Sequence, residues 1–168
     1  MPGDDYSSVV EALYRAYADD VLRVSYFYLG DKNKAEDVTQ DVFIRLMENR
    51  PVLKEGSEKS WLLKVALNIC RDMWRSAWAK RVILGSRSLE IVPVSDELDS
   101  RMEKEALMQA IHSLPAEIKE VFLLHYYQGY SIEEMAAILQ TPPGTISSRM
   151  SRGRRKLKGL LEEGEALE

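Results

Sequence analysis

One cysteine, two histidines and three phenylalanines in 168 residues leave several chemistries without their usual parts. A lone Cys70 excludes an internal disulfide and is too little thiolate for a metal cage, so it reads as a small core residue. His112 and His125 have no second His, Cys or carboxylate at ligand spacing, and no metal is expected. No apolar run approaches the ~20 residues that cross a bilayer. The opening Met-Pro-Gly-Asp-Asp is not the basic start of a signal peptide, so a cytoplasmic protein with no membrane insertion is expected. A phosphate-binding glycine loop, a nucleophile elbow and paired carboxylates are all missing. Gly30 and Gly129 read as helix stops. No enzyme activity, cofactor or small-molecule substrate is therefore expected. Alternating strand patterns, internal repeats and low-complexity blocks are absent as well.

What the chain does have is helical periodicity almost throughout, which predicts an all-α fold. A first helix is expected over 6–29, with Leu13, Tyr17, Val21 and Val24 on one stripe. A second is expected over 33–48, where Val38, Val42 and Leu46 repeat every four residues. After the polar loop 49–60, a third helix begins near Ser60 and runs to about Arg81. Residues 85–100 contain Gly, Pro and four Ser without helical period, and read as a flexible linker. Helices resume at 101–112 and after Ser113-Leu-Pro, where Ile118, Val121, Phe122 and His125 share a face. The pattern predicts two small helical domains, 1–84 and 103–168, joined by a linker at 85–102.

The charge pattern is more telling than the net charge of −4. Residues 1–60 carry twelve acids and eight bases, whereas 141–158, TPPGTISSRMSRGRRKLK, carry six bases and no acid. A short helix, SIEEMAAIL, precedes this stretch. Ser131 stands at its start, glutamates that suit the helix dipole lie in its first turn, and Thr141-Pro-Pro-Gly follows it. Two short helices around a tight break, the second basic, form the pattern of a helix-turn-helix. Ala136 is expected at the close crossing. Met135, Ile138, Leu139, Ile146, Met150 and Leu157 supply the shared core, and Pro142 or Pro143 starts the second helix. Ser147, Ser148, Ser151, Arg152 and Arg155 then face outward. Short hydroxyl side chains let a helix sit deep in the major groove, and Arg can grip guanine by two hydrogen bonds. The other bases, Arg149, Arg154, Lys156 and Lys158, are placed to hold phosphates.

The helix 61–81 is two-faced. Leu62, Val65, Ile69 and Met73 form an apolar stripe. Lys64, Asn68, Arg71, Asp72 and Arg75 lie opposite, beside Trp74 and Trp78. Bases, amides and aromatic rings interleaved next to a loop suit unstacked single-stranded bases, although tryptophans at this spacing equally suit a core.

Four motifs, AEDVTQDVF (35–43), WLLKVALNICRD (61–72), LPAEIKEVFLLHYYQGYSIEEMAAIL (114–139) and GTISSRMSRGRRKL (144–157), stand in the order found in RNA polymerase sigma factors. The chain resembles the extracytoplasmic function group of the sigma-70 family over residues 6–84 and 103–161. The resemblance implies a promoter-recognition subunit with three partners: core RNA polymerase, promoter DNA and an anti-sigma factor. Its first domain would bind polymerase and melt the −10 element, and its second would read the −35 element as duplex. Carried onto this chain, Asp37, Gln40, Asp41 and Arg45 would face polymerase. Asn68, Arg71, Asp72 and Arg75, with the 50–60 loop, would address the −10 strand. Ser147, Ser148, Ser151 and Arg152, flanked by Arg149, Arg154 and Arg155, would meet −35 DNA. Gln140 and Pro142-Pro143 depart from the family pattern, and Gln140 predicts a looser helix end. The rival reading is a helix-turn-helix regulator that binds duplex DNA without joining polymerase. It accounts for 114–158 but leaves 35–81 without a purpose.

Overall fold

The structure, a computed structural model, describes residues 2–84, 106–107 and 109–166. Among these residues every regular element is helical. Helix α1 spans Pro2–Leu29, α2 Lys32–Asn49 and α3 Glu58–Leu84. Residues 109–112 are helical and lead into α4, Ala116–Phe122, which widens into a π-helical turn at Leu123–Tyr127. Helix α5, Ile132–Leu139, and α6, Pro143–Ala166, complete the fold. The expected linker at 85–102 lies outside the described residues.

The first three helices enclose the stripes read from the sequence. Val21 and Val24 of α1, and Val38, Val42 and Leu46 of α2, are fully or almost fully buried. On α3 the buried face is displaced from the expected stripe: Leu63, Ala66, Leu67 and Cys70 join Leu62 and Ile69, whereas Val65 and Met73 are only partly buried. Gly30 turns the chain between α1 and α2 at φ +70°, a left-handed conformation that glycine adopts without strain. Asp31 then caps α2, its carboxylate accepting from the Lys34 amide at 3.1 Å. Helix α3 begins at Glu58, two residues before the expected Ser60, and the Ser60 hydroxyl instead donates back to the Ser57 carbonyl.

In the second half, Ser131 caps α5 by accepting from the Glu134 amide, and α6 starts at Pro143. Met135, Ile146 and Met150 are buried between these helices and α4. One local expectation fails. Gln140 does not loosen the end of α5: it takes the left-handed conformation itself, at φ 51°, and its amide bonds the Ala136 and Ala137 carbonyls. Ala136 packs against the core, partly buried. Helix α6 lies close on α4 at Gly153, where an added Cβ would overlap the Phe122 ring and the Ile118 Cγ2. Helix α6 runs to Ala166.

The two halves pack together, and one continuous buried cluster runs from α1–α3 into α4 and α5. Phe27 stacks on Tyr127 at 4.2 Å between centroids, and the His112 ring nitrogen Nε2 lies 3.1 Å from the Leu29 carbonyl.

Candidate nucleic-acid and polymerase interfaces

Three faces carry the residues singled out from the sequence, and they differ in exposure. On α6, Ser147, Ser148, Ser151, Arg152, Arg154 and Arg155 are all exposed. The burial of Ile146, Met150 and Gly153 against α4 and α5 fixes this presentation, since one face of α6 is packed and the other is free. Lys156 and Lys158 extend the same basic surface. Arg149 is the exception. Its side chain is only 16% exposed and its Nη2 sits 3.8 Å from the Glu117 carboxylate, so it faces α4 rather than solvent.

Asp37, Gln40, Asp41 and Arg45 are exposed along the outer side of α2, opposite the buried Val38, Val42 and Leu46. Ile44 and Met47 are also about half exposed there, so the face is partly apolar. The sequence reading named only its polar members. The available signal was Ile44, an apolar residue set between Asp41 and Arg45 and off the stripe of Val38, Val42 and Leu46.

The third face is partly closed. Asn68, Asp72 and Arg75 are exposed on α3, and the neighbouring loop projects Val52 into solvent. Arg71 is engaged: its Nε and Nη2 donate to Oε1 of Glu120 at 2.7 and 2.6 Å. Trp74 is half-buried, not the exposed platform considered from the sequence, and meets the His112 ring edge-on at 4.6 Å. The side chain of Trp78 lies outside the described residues. Against this face α4 brings two adjacent charges that are almost wholly buried, Lys119 and Glu120. The Lys119 ammonium lies 3.8 Å from the centroid of Trp74 and 4.5 Å from that of Tyr28, and it donates to the Tyr28 carbonyl at 3.2 Å. Burial pulls its pKa down from 10.5 to about 8. Burial also raises the Glu120 carboxyl, against the lowering pull of its bond to Arg71. Cys70 is fully buried beside these groups, its thiol pushed up to about 12 chiefly by burial, in keeping with a core role.

No group of three or more potential metal ligands occurs among the described residues, and no helix there is long and apolar enough to cross a membrane. Residues 13–80 match the family described as Sigma-70 region 2, and residues 104–157 match Sigma-70, region 4. The extracytoplasmic function (ECF) RNA polymerase sigma factor SigE of Mycolicibacterium smegmatis is 33% identical over 157 residues, covering 90% of this chain and 61% of the relative. The ECF sigma factor SigL of Mycobacterium tuberculosis is 30% identical over 162 residues, covering 94% of this chain and 91% of the relative. Among solved structures, the sigma factor RpoE of Bartonella quintana, in complex with the anti-sigma factor NepR, superposes with a TM-score of 0.74. It is 24% identical, with 94% of this chain and 97% of that one covered. Two region models in the expected order, and a relative of nearly the same length at 30% identity, meet on the same residues as the helix-turn-helix and the α2–α3 faces. The chain belongs to the extracytoplasmic function sigma factors of the sigma-70 family.

Proposed function

We propose that the chain joins core RNA polymerase, directs it to particular promoters and starts transcription there, each of the three faces taking one partner. The outer side of α2, with Asp37, Gln40, Asp41 and Arg45 around Ile44, docks on polymerase. Asn68, Arg71, Asp72 and Arg75 of α3, with the 50–60 loop, take the −10 strand once it is unpaired. Ser147, Ser148, Ser151 and Arg152 of α6 read the −35 duplex, while Arg154 and Arg155 hold phosphates and Arg149 steadies the helix from its α4 side. This division gives residues 1–84 polymerase binding and −10 recognition, and 103–168 −35 recognition. An anti-sigma factor, an inhibitor of the kind that holds the Bartonella protein, completes the partners, and the work is done in the cytoplasm by binding rather than by catalysis. The observation that carries the reading is the row of exposed serines and arginines on the second helix of a helix-turn-helix, within a family of polymerase subunits. Run-off transcription with core polymerase on a library of random promoters tests it. Selection of templates sharing two elements is expected. Selection of one duplex element by the chain without polymerase would instead favour a free-standing regulator.

A further inference from the structure

Resting on that reading, we infer that Tyr6 and Arg50 are positioning residues for the −10 strand: the start of α1 fixes where the 50–60 loop begins, by holding Arg50 in a left-handed turn. Arg50 follows the last residue of α2 and stands at φ 43° and ψ 57°. Side chains disfavour that conformation, and a residue before a proline, here Pro51, is ordinarily extended. Two local preferences are thus overridden at the residue through which α2 enters the loop.

Tyr6 supplies the means. Its hydroxyl donates to the Leu46 carbonyl at 2.9 Å, and the Arg50 amide donates to the same oxygen at 3.1 Å. The Arg50 guanidinium then lies 5.1 Å from the centroid of the Tyr6 ring, within reach of a cation–π attraction. One aromatic side chain so holds both the end of α2 and the charge of the residue beyond it. A helix that merely had to stop would not need this arrangement, since glycine or asparagine ends helices in the same conformation at lower cost.

The loop is anchored at its other end too. The Ser57 hydroxyl and amide donate to the Lys54 carbonyl at 2.7 and 3.0 Å, and the Gly56 amide donates to the Glu58 carboxylate at 2.9 Å. Leu53 packs against the core, and between the anchors Val52 stands wholly in solvent. A loop held at both ends has little ordering entropy left to lose when a strand binds. Backbone strain persists where the surroundings over-determine it, and it clusters at binding sites. Tyr6 and the Arg50 guanidinium act on the origin of the loop, so they govern the strand through the loop without touching it.

Reconstituted polymerase carrying the full chain, on promoters randomised in the −10 element alone or in the −35 element alone, provides the test. Arg50→Gly accepts the left-handed backbone but gives up the ring contact, and Tyr6→Leu gives up both ring and hydroxyl. Each should lower the preference for the favoured −10 base about tenfold, with −35 preference and salt slope unchanged. Arg50→Lys keeps a cation for the ring and should retain wild-type selection. Arg50→Gly should melt within a few degrees of wild type, because relieved strain offsets the lost contact, so its loss of selection is not loss of fold. Wild-type −10 preference in both Arg50→Gly and Tyr6→Leu would overturn the inference. So would a uniform weakening on all promoters in Arg50→Gly alone, with the salt slope reduced by about one unit, which would mark Arg50 as a phosphate contact. A wild-type chain that selects a −35 element and no −10 element would overturn the −10 assignment itself, and the inference with it, before any variant is compared.

Discussion

Arg71 and Arg152 are both arginines on candidate DNA faces, and their surroundings separate them. Arg71 is already committed to a carboxylate, whereas Arg152 has its guanidinium in solvent on the outward side of α6. Arg152→Ala should therefore cost about 1–3 kcal/mol at one preferred −35 base and relax selection there. Replacing Lys156 or Lys158 should weaken binding to all promoters alike and reduce the salt slope by about one unit for each lost phosphate contact. Promoter selection by reconstituted polymerase at two salt concentrations separates the two effects. A lysine change that altered base preference would mean that α6 lies in the groove differently. Lys119 makes a separate, titratable contribution. Its ammonium falls to about 8 in the folded chain from 10.5 when exposed. Between these values the unfolded chain keeps the proton that the folded chain releases, so this group makes stability rise with pH from about 8 upward. Cys70 acts in the opposite sense above pH 9, because its thiol ionises near 9 unfolded and at about 12 folded. Between pH 8 and 9 the lysine outweighs the thiol, whose share is common to wild type and a Lys119 variant and cancels on comparison. Calorimetric melting at pH 7.5 and 9 should show wild-type protein gaining stability relative to Lys119→Met, and equal slopes would dissociate Lys119 from the shift.

At the scale of the helix, packing at α6 depends on one missing side chain. Gly153 lets α6 lie directly on Phe122 and Ile118, and both contacts belong to α4, which also carries the buried Lys119 and Glu120. Gly153→Ala forces a methyl group into that crossing. Helix propensity favours the alanine by about 0.5–1 kcal/mol, but overpacking typically costs about 1–3, so thermal unfolding should move to lower temperature. Gln140→Gly should do the reverse, because the residue ending α5 holds a left-handed conformation that costs an ordinary side chain roughly 1–2 kcal/mol. A rise in melting temperature for Gly153→Ala would show that Phe122 moves aside freely. These two positions also mark how far the sequence could be read. Val38, Val42 and Leu46 announced their buried face by spacing alone, and Ser131 and Pro143 announced the ends of their helices by cap chemistry. Those signals are local, and the structure keeps them. Gln140 departs from its expectation because the turn imposes a backbone that its side chain disfavours. Lys119 and Glu120 were invisible as buried groups, since an adjacent Lys-Glu pair on a helix ordinarily faces water. What buries them is α3, and the Glu120 partner stands 49 residues away at Arg71. Trp74 fits platform or core by spacing for the same reason: Lys119 and His112, which cover it, arrive from the other half of the chain. The docking side of α2 was legible in its charges and missed in its centre, Ile44.

For the whole molecule, the three proposed faces differ in how far the compact chain presents them. The proposed polymerase face on α2 and the proposed duplex face on α6 are exposed, whereas Arg71 and Trp74 of the proposed strand face on α3 are partly covered by the other half. Polymerase can therefore meet the closed form through a surface already presented. That surface combines Asp37 and Asp41 with the half-exposed Ile44 and Met47, and the two kinds of residue should contribute differently. Exposed charges chiefly accelerate encounter with a complementary surface, and their influence falls with salt. An apolar side chain desolvated at the centre of a contact chiefly slows departure. Asp37→Lys with Asp41→Lys should thus lower the association rate with core polymerase about tenfold or more at low salt and much less at high salt. Melting temperature should change little, because solvent-exposed helix charges contribute less than about 1 kcal/mol. Ile44→Ala should leave association nearly unchanged and raise the dissociation rate, with little dependence on salt. Both are measurable by surface-immobilised core polymerase over a range of ionic strength. Unaltered kinetics in the double charge reversal would take α2 out of the polymerase contact. A salt-dependent slowing of association caused by Ile44→Ala would instead mean that the apolar centre of this face is not where polymerase lands.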